Sequence, residues 1–129
     1  MPQTILYIED NPDNMLLVWR ALEFRGYDFL WAANGFSGIS MIKAKRPDLI
    51  LLDINLPDID GYEVARRLRG STDKYLSQVP IIAVTANALK GDADKALAAG
   101  CNLYMSKPVN IRELWAHIKA LLSEHEAVM

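Results

Sequence analysis

Three carboxylates, a hydroxyl and an ammonium group each close a short apolar run in this chain. Ile5-Leu6-Tyr7-Ile8 ends at Glu9-Asp10, and Leu49-Ile50-Leu51-Leu52 ends at Asp53. Ile81-Ile82-Ala83-Val84 ends at Thr85, and the weaker run Leu103-Tyr104-Met105 ends at Ser106-Lys107-Pro108. Carboxylates gathered in one cleft raise one another's pKa or call for a counter-charge, usually a divalent cation. Oxygen-only ligands select a hard ion. A site with few protein ligands and room for water favours Mg²⁺ over Ca²⁺, with Mn²⁺ as the alternative. There is no EF-hand spacing and no His or Cys cluster, and His117 and His125 fall on or beyond the last helix, which argues against zinc. Lys107 supplies a compact positive charge and Thr85 a hydroxyl donor. Together with a metal they would receive a phosphoryl group, whose transfer depends on positioning and charge neutralisation. Asp53 closes the most apolar run and is the candidate nucleophile, while Glu9 and Asp10 suit the metal. Singly, each residue reads as a helix cap or strand end. Their joint occurrence at the same end of successive runs is what points to a site.

The elements that must position these groups alternate between strand-type and helix-type patterns. Strands are expected at 5–9, 27–31, 48–53, 79–84 and 103–105. Asn11 caps a first helix, with Pro12 and Asp13 in its first turn and Gly26 beyond its end. Asn34-Gly35 reads as a turn and 37–45 as a helix stopped by Pro47. A third helix spans 62–69, 70–78 reads as loop, and a fourth helix runs from about residue 90 to Gly100. Asn110 caps a last helix carrying Ile111, Leu114, Trp115, Ile118, Leu121 and Leu122, whose final residues should fray. Five strands alternating with five helices predict an α/β fold, a three-layer doubly wound parallel sheet. In such sheets ligands bind beyond the carboxyl ends of the strands, where the polar endings sit.

Size and composition narrow the function classes. The 129 residues make one domain, 1–129, of ordinary globular composition. The net charge of -2 argues against a nucleic-acid surface, and Arg66, Arg67 and Arg69 read as a solvated helix face. The single cysteine, Cys101, fits a reducing compartment and reads as a packed residue at a helix–strand junction. No run is long enough to span a membrane and no signal-peptide pattern precedes the first strand, so a cytoplasmic protein is expected.

At these residues the chain resembles the receiver domain of two-component response regulators. The resemblance is carried by Glu9-Asp10-Asn11, the stretch from Asp53 through Asn55-Leu56-Pro57 to Gly61, Thr85-Ala86, and Tyr104-Met105-Ser106-Lys107-Pro108. It implies a flavodoxin-like fold with strand order 2-1-3-4-5. It implies that Asp53 accepts phosphate from a histidine of a sensor kinase or phosphotransfer protein. Mg²⁺ would be held by Glu9 (through water), Asp10, Asp53 and the backbone carbonyl of Asn55. Thr85 and Lys107 would bind the phosphoryl oxygens, Tyr104 would turn inward as Thr85 moves, and the Lys107-Pro108 bond would be cis. One departure is Glu9, where many members carry Asp.

The chain ends soon after its last helix, and Met1 lies just before the first strand, as in a free-standing protein. Output is therefore expected through contacts with a downstream protein, as a monomer or weak dimer, without direct binding to nucleic acid or membrane. On the first helix, Leu17, Val18, Ala21 and Leu22 read as the buried stripe. Met15, Leu16 and Trp19, beside Pro108, then form a partner face for a kinase or phosphotransfer protein. The plainer reading has Trp19 folding back over the domain. Three rivals compete with the switch. A metal-dependent phosphatase would want a second aspartate two residues after Asp53, where Asn55 stands. A flavodoxin would want a hydroxyl- and glycine-rich loop after the first strand. A receiver excised from a hybrid kinase is the third. Asn55 and Asn87 flank the path of an attacking water and would tune phosphate lifetime.

Overall fold

The computed structural model describes residues 2–86 and 91–128. In chain order the elements are β1 (Thr4–Ile8), α1 (Pro12–Phe24), β2 (Asp28–Ala32), α2 (Gly35–Lys45), β3 (Leu49–Asp53), α3 (Gly61–Arg69), α4 (Lys74–Gln78), β4 (Ile81–Thr85), α5 (Asp92–Ala99), β5 (Leu103–Ser106) and α6 (Ile111–Val128). The five strands are parallel in the order β2-β1-β3-β4-β5. The expected doubly wound, flavodoxin-like sheet is therefore present.

Strand alternation divides the core in two. Leu6, Ile8, Ile50, Leu52, Ile81 and Ala83 face Ile42 of α2, Val64 and Leu68 of α3, and Ala96 of α5. Ile5, Tyr7, Leu49, Leu51 and Ile82 face Val18 and Leu22 of α1 and Leu114 and Ile118 of α6. Each such Leu or Ile, fully buried, contributes about 1.5–3 kcal/mol relative to exposure. A one-residue slip in any strand would exchange the two sets, so the apolar pattern fixes the register and with it the level of each polar strand end.

Three expectations are corrected. The stretch after α3 contains a short helix, α4, so six helices lie among the described residues. Asp73 caps α4 by accepting from the Tyr75 and Leu76 amides, and the Tyr75 hydroxyl donates to the Pro47 carbonyl. Arg69 is not part of a solvated face. Its guanidinium donates to the carbonyls of Gly100 and Val79 and to the Asn102 side chain, whereas Arg66 and Arg67 pair with Glu63 at the surface. Leu17 is not in the buried stripe of α1: it is 51% exposed, and the stripe is Val18, Ala21 and Leu22. Helix α6 runs to Val128, with Gln3 donating to Glu126 near its end. Smaller shifts also occur: α2 starts at Gly35, capped by Asn34, and β4 includes Thr85. Cys101 is buried at the α5–β5 junction as expected, and burial pushes its thiol up to about 11.

Candidate functional site

Register brings the polar ends together. Ile8 of β1 lies level with Leu52 of β3, so Glu9, one residue on, stands beside Asp53. Thr85 ends β4, and its carbonyl accepts the Lys107 amide at 2.7 Å, which fixes the chain just beyond β5. The Lys107-Pro108 bond is cis. Two further contacts hold the loop after Asp53. The Asp58 carboxylate accepts from the Gly35 and Phe36 amides, each at 2.8 Å, tying the loop to the start of α2. The Gly61 amide donates to the Ile54 carbonyl. A Cβ at Gly61 would lie 2.6 Å from the Asp53 carbonyl oxygen, so only glycine allows this close return.

Among the described residues Glu9, Asp53 and Thr85 are the buried polar ones, and Asp10 is exposed at their edge. The Lys107 ammonium lies 2.9 and 3.2 Å from the two Glu9 oxygens and 3.2 Å from Asp53 Oδ2. The Asn55 amide donates to Asp53 Oδ1 at 3.2 Å, and Asn14 Nδ2 donates to Glu9 Oε1 at 2.6 Å. Tyr104 is half-buried against the α3–α5 side of the core.

Two carboxylates this close share their protons unequally. For Asp53, burial is the largest influence, and its hydrogen bond with Glu9 and the Glu9 charge add to it. Lys107 offsets these in part, and the Asp53 carboxyl is pushed up to about 7. Burial also opposes ionisation of Glu9, but hydrogen bonds with Asp53, Asn14 and Lys107 outweigh it and hold Glu9 below the usual carboxylate range. Lys107 is desolvated, yet the facing carboxylates raise its pKa, so it stays charged. The cluster therefore contains more negative charge than one ammonium neutralises once Asp53 ionises.

The donor set fits a hard divalent cation. Glu9, Asp10 and Asp53 each offer an oxygen, all within 4.8 Å of one another, and no nitrogen or sulfur ligand joins them among the described residues. Lys107 already shows where the cluster takes positive charge.

Every predicted cluster residue among the described positions lies at this edge, whereas Asn87 falls outside the described residues. The partner face is rearranged. Met15 and Leu16 are half-buried. Trp19 is 41% exposed and also stacks on Phe29, with centroids 6.2 Å apart. Leu17 is exposed in their stead, and Pro108 is exposed as expected. Three residues near the site went unread in the sequence. Asn14 could have been found from its place in the first turn of α1, facing the end of β1. Trp31 donates its indole N–H to the Glu9 carbonyl at 2.6 Å, and Tyr7 lies buried below; both pass in sequence as strand apolar residues.

A doubly wound parallel sheet with acid groups, a threonine and a lysine at the carboxyl ends of its strands, where such sheets bind ligands, defines a class of α/β binding modules. The response regulator receiver domain profile matches residues 5–119, and the chain belongs to that family of two-component signalling proteins. It is 39% identical over 124 residues to the polar-differentiation response regulator DivK of Brucella anthropi, covering 96% of this chain and 99% of that one. A CheY-like receiver domain protein of Methanospirillum hungatei superposes with a TM-score of 0.90 at 31% identity, with full coverage of both chains. The receiver domain of the Pseudomonas aeruginosa sensor histidine kinase PA1611, whose structure has magnesium coordinated in the active-site cleft, gives 0.86 at 37% identity. That match covers 95% of this chain and 99% of that one. No helix among the described residues is long and apolar enough to cross a membrane.

Proposed function

We propose that residues 1–129 form one receiver unit that accepts a phosphoryl group on Asp53 from a phosphohistidine of a sensor kinase or phosphotransfer protein. The observation that carries this reading is the part-buried Lys107 bridge between Glu9 and Asp53, in which a charged donor is poised over a carboxyl group whose pKa is pushed up to about 7. In the transfer, a P–O bond forms to a carboxylate oxygen of Asp53 as the donor's P–N bond breaks. Asp53 must be ionised to attack, and Lys107 keeps positive charge beside it throughout. Thr85 offers its hydroxyl to a phosphoryl oxygen, and Lys107 shifts from Glu9 towards another. Glu9, Asp10, Asp53 and the Asn55 carbonyl would hold Mg²⁺ (or Mn²⁺). When bound, such an ion neutralises charge on the carboxylates and on the phosphoryl oxygens.

The phosphoryl group brings strong acceptor oxygens to Thr85 and Lys107. Those contacts favour one position of the chain after β4, and Tyr104 is the aromatic group that follows it inward. The product is a changed surface, so the protein acts as a cytoplasmic switch read by a downstream protein and not as a turnover enzyme. The phosphodonor docks over α1 beside the site, against exposed Leu17, Trp19 and Pro108 with Met15 and Leu16 beneath. Asn55 borders the acceptor and tunes how long the phosphate persists. Acetyl phosphate with Mg²⁺ should label wild type and leave Asp53→Asn unlabelled; full labelling of the variant would remove Asp53 as acceptor.

A further inference from the structure

Three residues, Glu9, Asp10 and Asn11, join β1 to α1, and two of them supply carboxylates to the cation cluster. Glu9 is tied twice to the edge strand β2. Its amide donates to the Ala32 carbonyl at 3.0 Å, and its carbonyl accepts the Trp31 indole N–H at 2.6 Å. The first contact is open to any residue at position 9. The second needs a side chain that donates from β2, and the indole N–H is a donor only. On the far side, the Asn11 side chain accepts from the Asp13 and Asn14 amides and starts α1. A peptide group is planar, so a held Glu9 carbonyl also fixes the direction in which the chain enters Asp10. The Asp10 side chain is exposed, so packing does not aim it and its backbone must.

We propose that Trp31 is a positioning residue for the cation site, and that its hydrogen bond to Glu9 sets the preference of the site for Mg²⁺ over Ca²⁺. Glu9 is held on its carboxylate by Asn14 and on its carbonyl by Trp31. The spacing of Glu9, Asp10 and Asp53 therefore resists widening. Mg²⁺ demands near-ideal octahedral geometry with short bonds, whereas Ca²⁺ accepts longer bonds and a looser shape. A tightly held set of carboxylates suits the first ion, and a released set gives up that advantage. Groups behind the ligands of a metal commonly act in this way. Trp31 itself offers the ion nothing, so its whole effect passes through the backbone of Glu9 and Asp10. The inference rests on the reading of Glu9, Asp10 and Asp53 as cation ligands.

The test is calorimetric titration of wild type and Trp31→Phe with Mg²⁺ and, separately, with Ca²⁺. Phenylalanine keeps a ring and removes the N–H, and at a position 36% exposed on the edge strand it keeps the fold. Mg²⁺ should bind the variant about fivefold more weakly, the effect of one hydrogen bond, and Ca²⁺ less than about twofold more weakly. Unchanged Mg²⁺ affinity would overturn the positioning role. Equal weakening for both ions would show a loosened chain and overturn the role in ion preference. A wild type that binds neither ion, or Mg²⁺ affinity untouched by Asp10→Ala, would instead remove the parent reading, whatever Trp31→Phe does.

Discussion

Arg46 with Asp73 at the amino edge of the sheet, and Lys107 with Glu9 and Asp53 at the carboxyl edge, join the same kinds of charge in opposite surroundings. The Arg46–Asp73 pair is half open to water. There, hydrogen bonds from Arg46 dominate and hold the Asp73 carboxyl down at about 2. At the other edge burial dominates. Two carboxylates compete for one ammonium, and Asp53 is pushed up to about 7. The first pair costs little to desolvate and serves the fold by capping α4. The second remains short of positive charge and is suited to receive it. Burial, more than residue type, separates a structural ion pair from a reactive one.

The comparison breaks if the lysine is dispensable. Lys107→Ala should slow acetyl-phosphate labelling by about 10²-fold, the usual cost of removing one preorganised charge-stabilising donor. It should also bind Mg²⁺ more tightly, because the competing ammonium is gone. Calorimetric titration and labelling rates check the two halves, and a variant slower in labelling but weaker for Mg²⁺ would contradict the competition.

The pH dependence separates the two edges by sign. Asp53 holds its proton more tightly folded than unfolded, so the metal-free protein loses stability as pH rises from the ordinary carboxylate range through about 7. Over that range Mg²⁺ must displace a proton, and its affinity should rise up to about tenfold per pH unit before levelling. Asp73 behaves oppositely. Its contribution is complete above its ordinary pKa and is lost as pH falls towards about 2. Melts and Mg²⁺ titrations across pH would show both trends, and a flat Mg²⁺ profile between about pH 5 and 7 would deny the raised acid.

Two further variants sharpen the boundary of the reactive cluster. Leu17→Ser with Trp19→Ala should slow transfer from a phosphohistidine donor protein by about tenfold, as expected for losing two apolar anchors, and leave acetyl-phosphate labelling unchanged. Asp73→Ala should lower the melting temperature by a few degrees through loss of the α4 cap and leave labelling at the wild-type rate. Impaired labelling in either variant would show that chemistry reaches beyond the buried groups.

What could be read from sequence follows the same division. The apolar runs and the residues that end them displayed both the sheet and the cluster, because a strand buried on both faces shows itself by composition and its end by the first charge. Features settled by tertiary contact were not legible. Helix α4 is five residues long and depends on Asp73 and on the Tyr75–Pro47 contact, which no local pattern displays. Arg69 looks like its neighbours on a charged helix, yet it turns inward because carbonyls of other elements await it. Leu17 lies at the margin of the apolar stripe, where a small rotation of α1 decides burial.

The central claim is that the phosphoryl group comes to rest on Asp53. Mass spectrometry of the protein after acetyl phosphate and Mg²⁺ treatment, with peptide mapping under conditions that preserve or trap the acyl phosphate, tests this directly. The modification should fall on Asp53 alone and vanish without Mg²⁺. Phosphate on Glu9, on Asp10 or on a histidine, with Asp53 unmodified, would contradict the account.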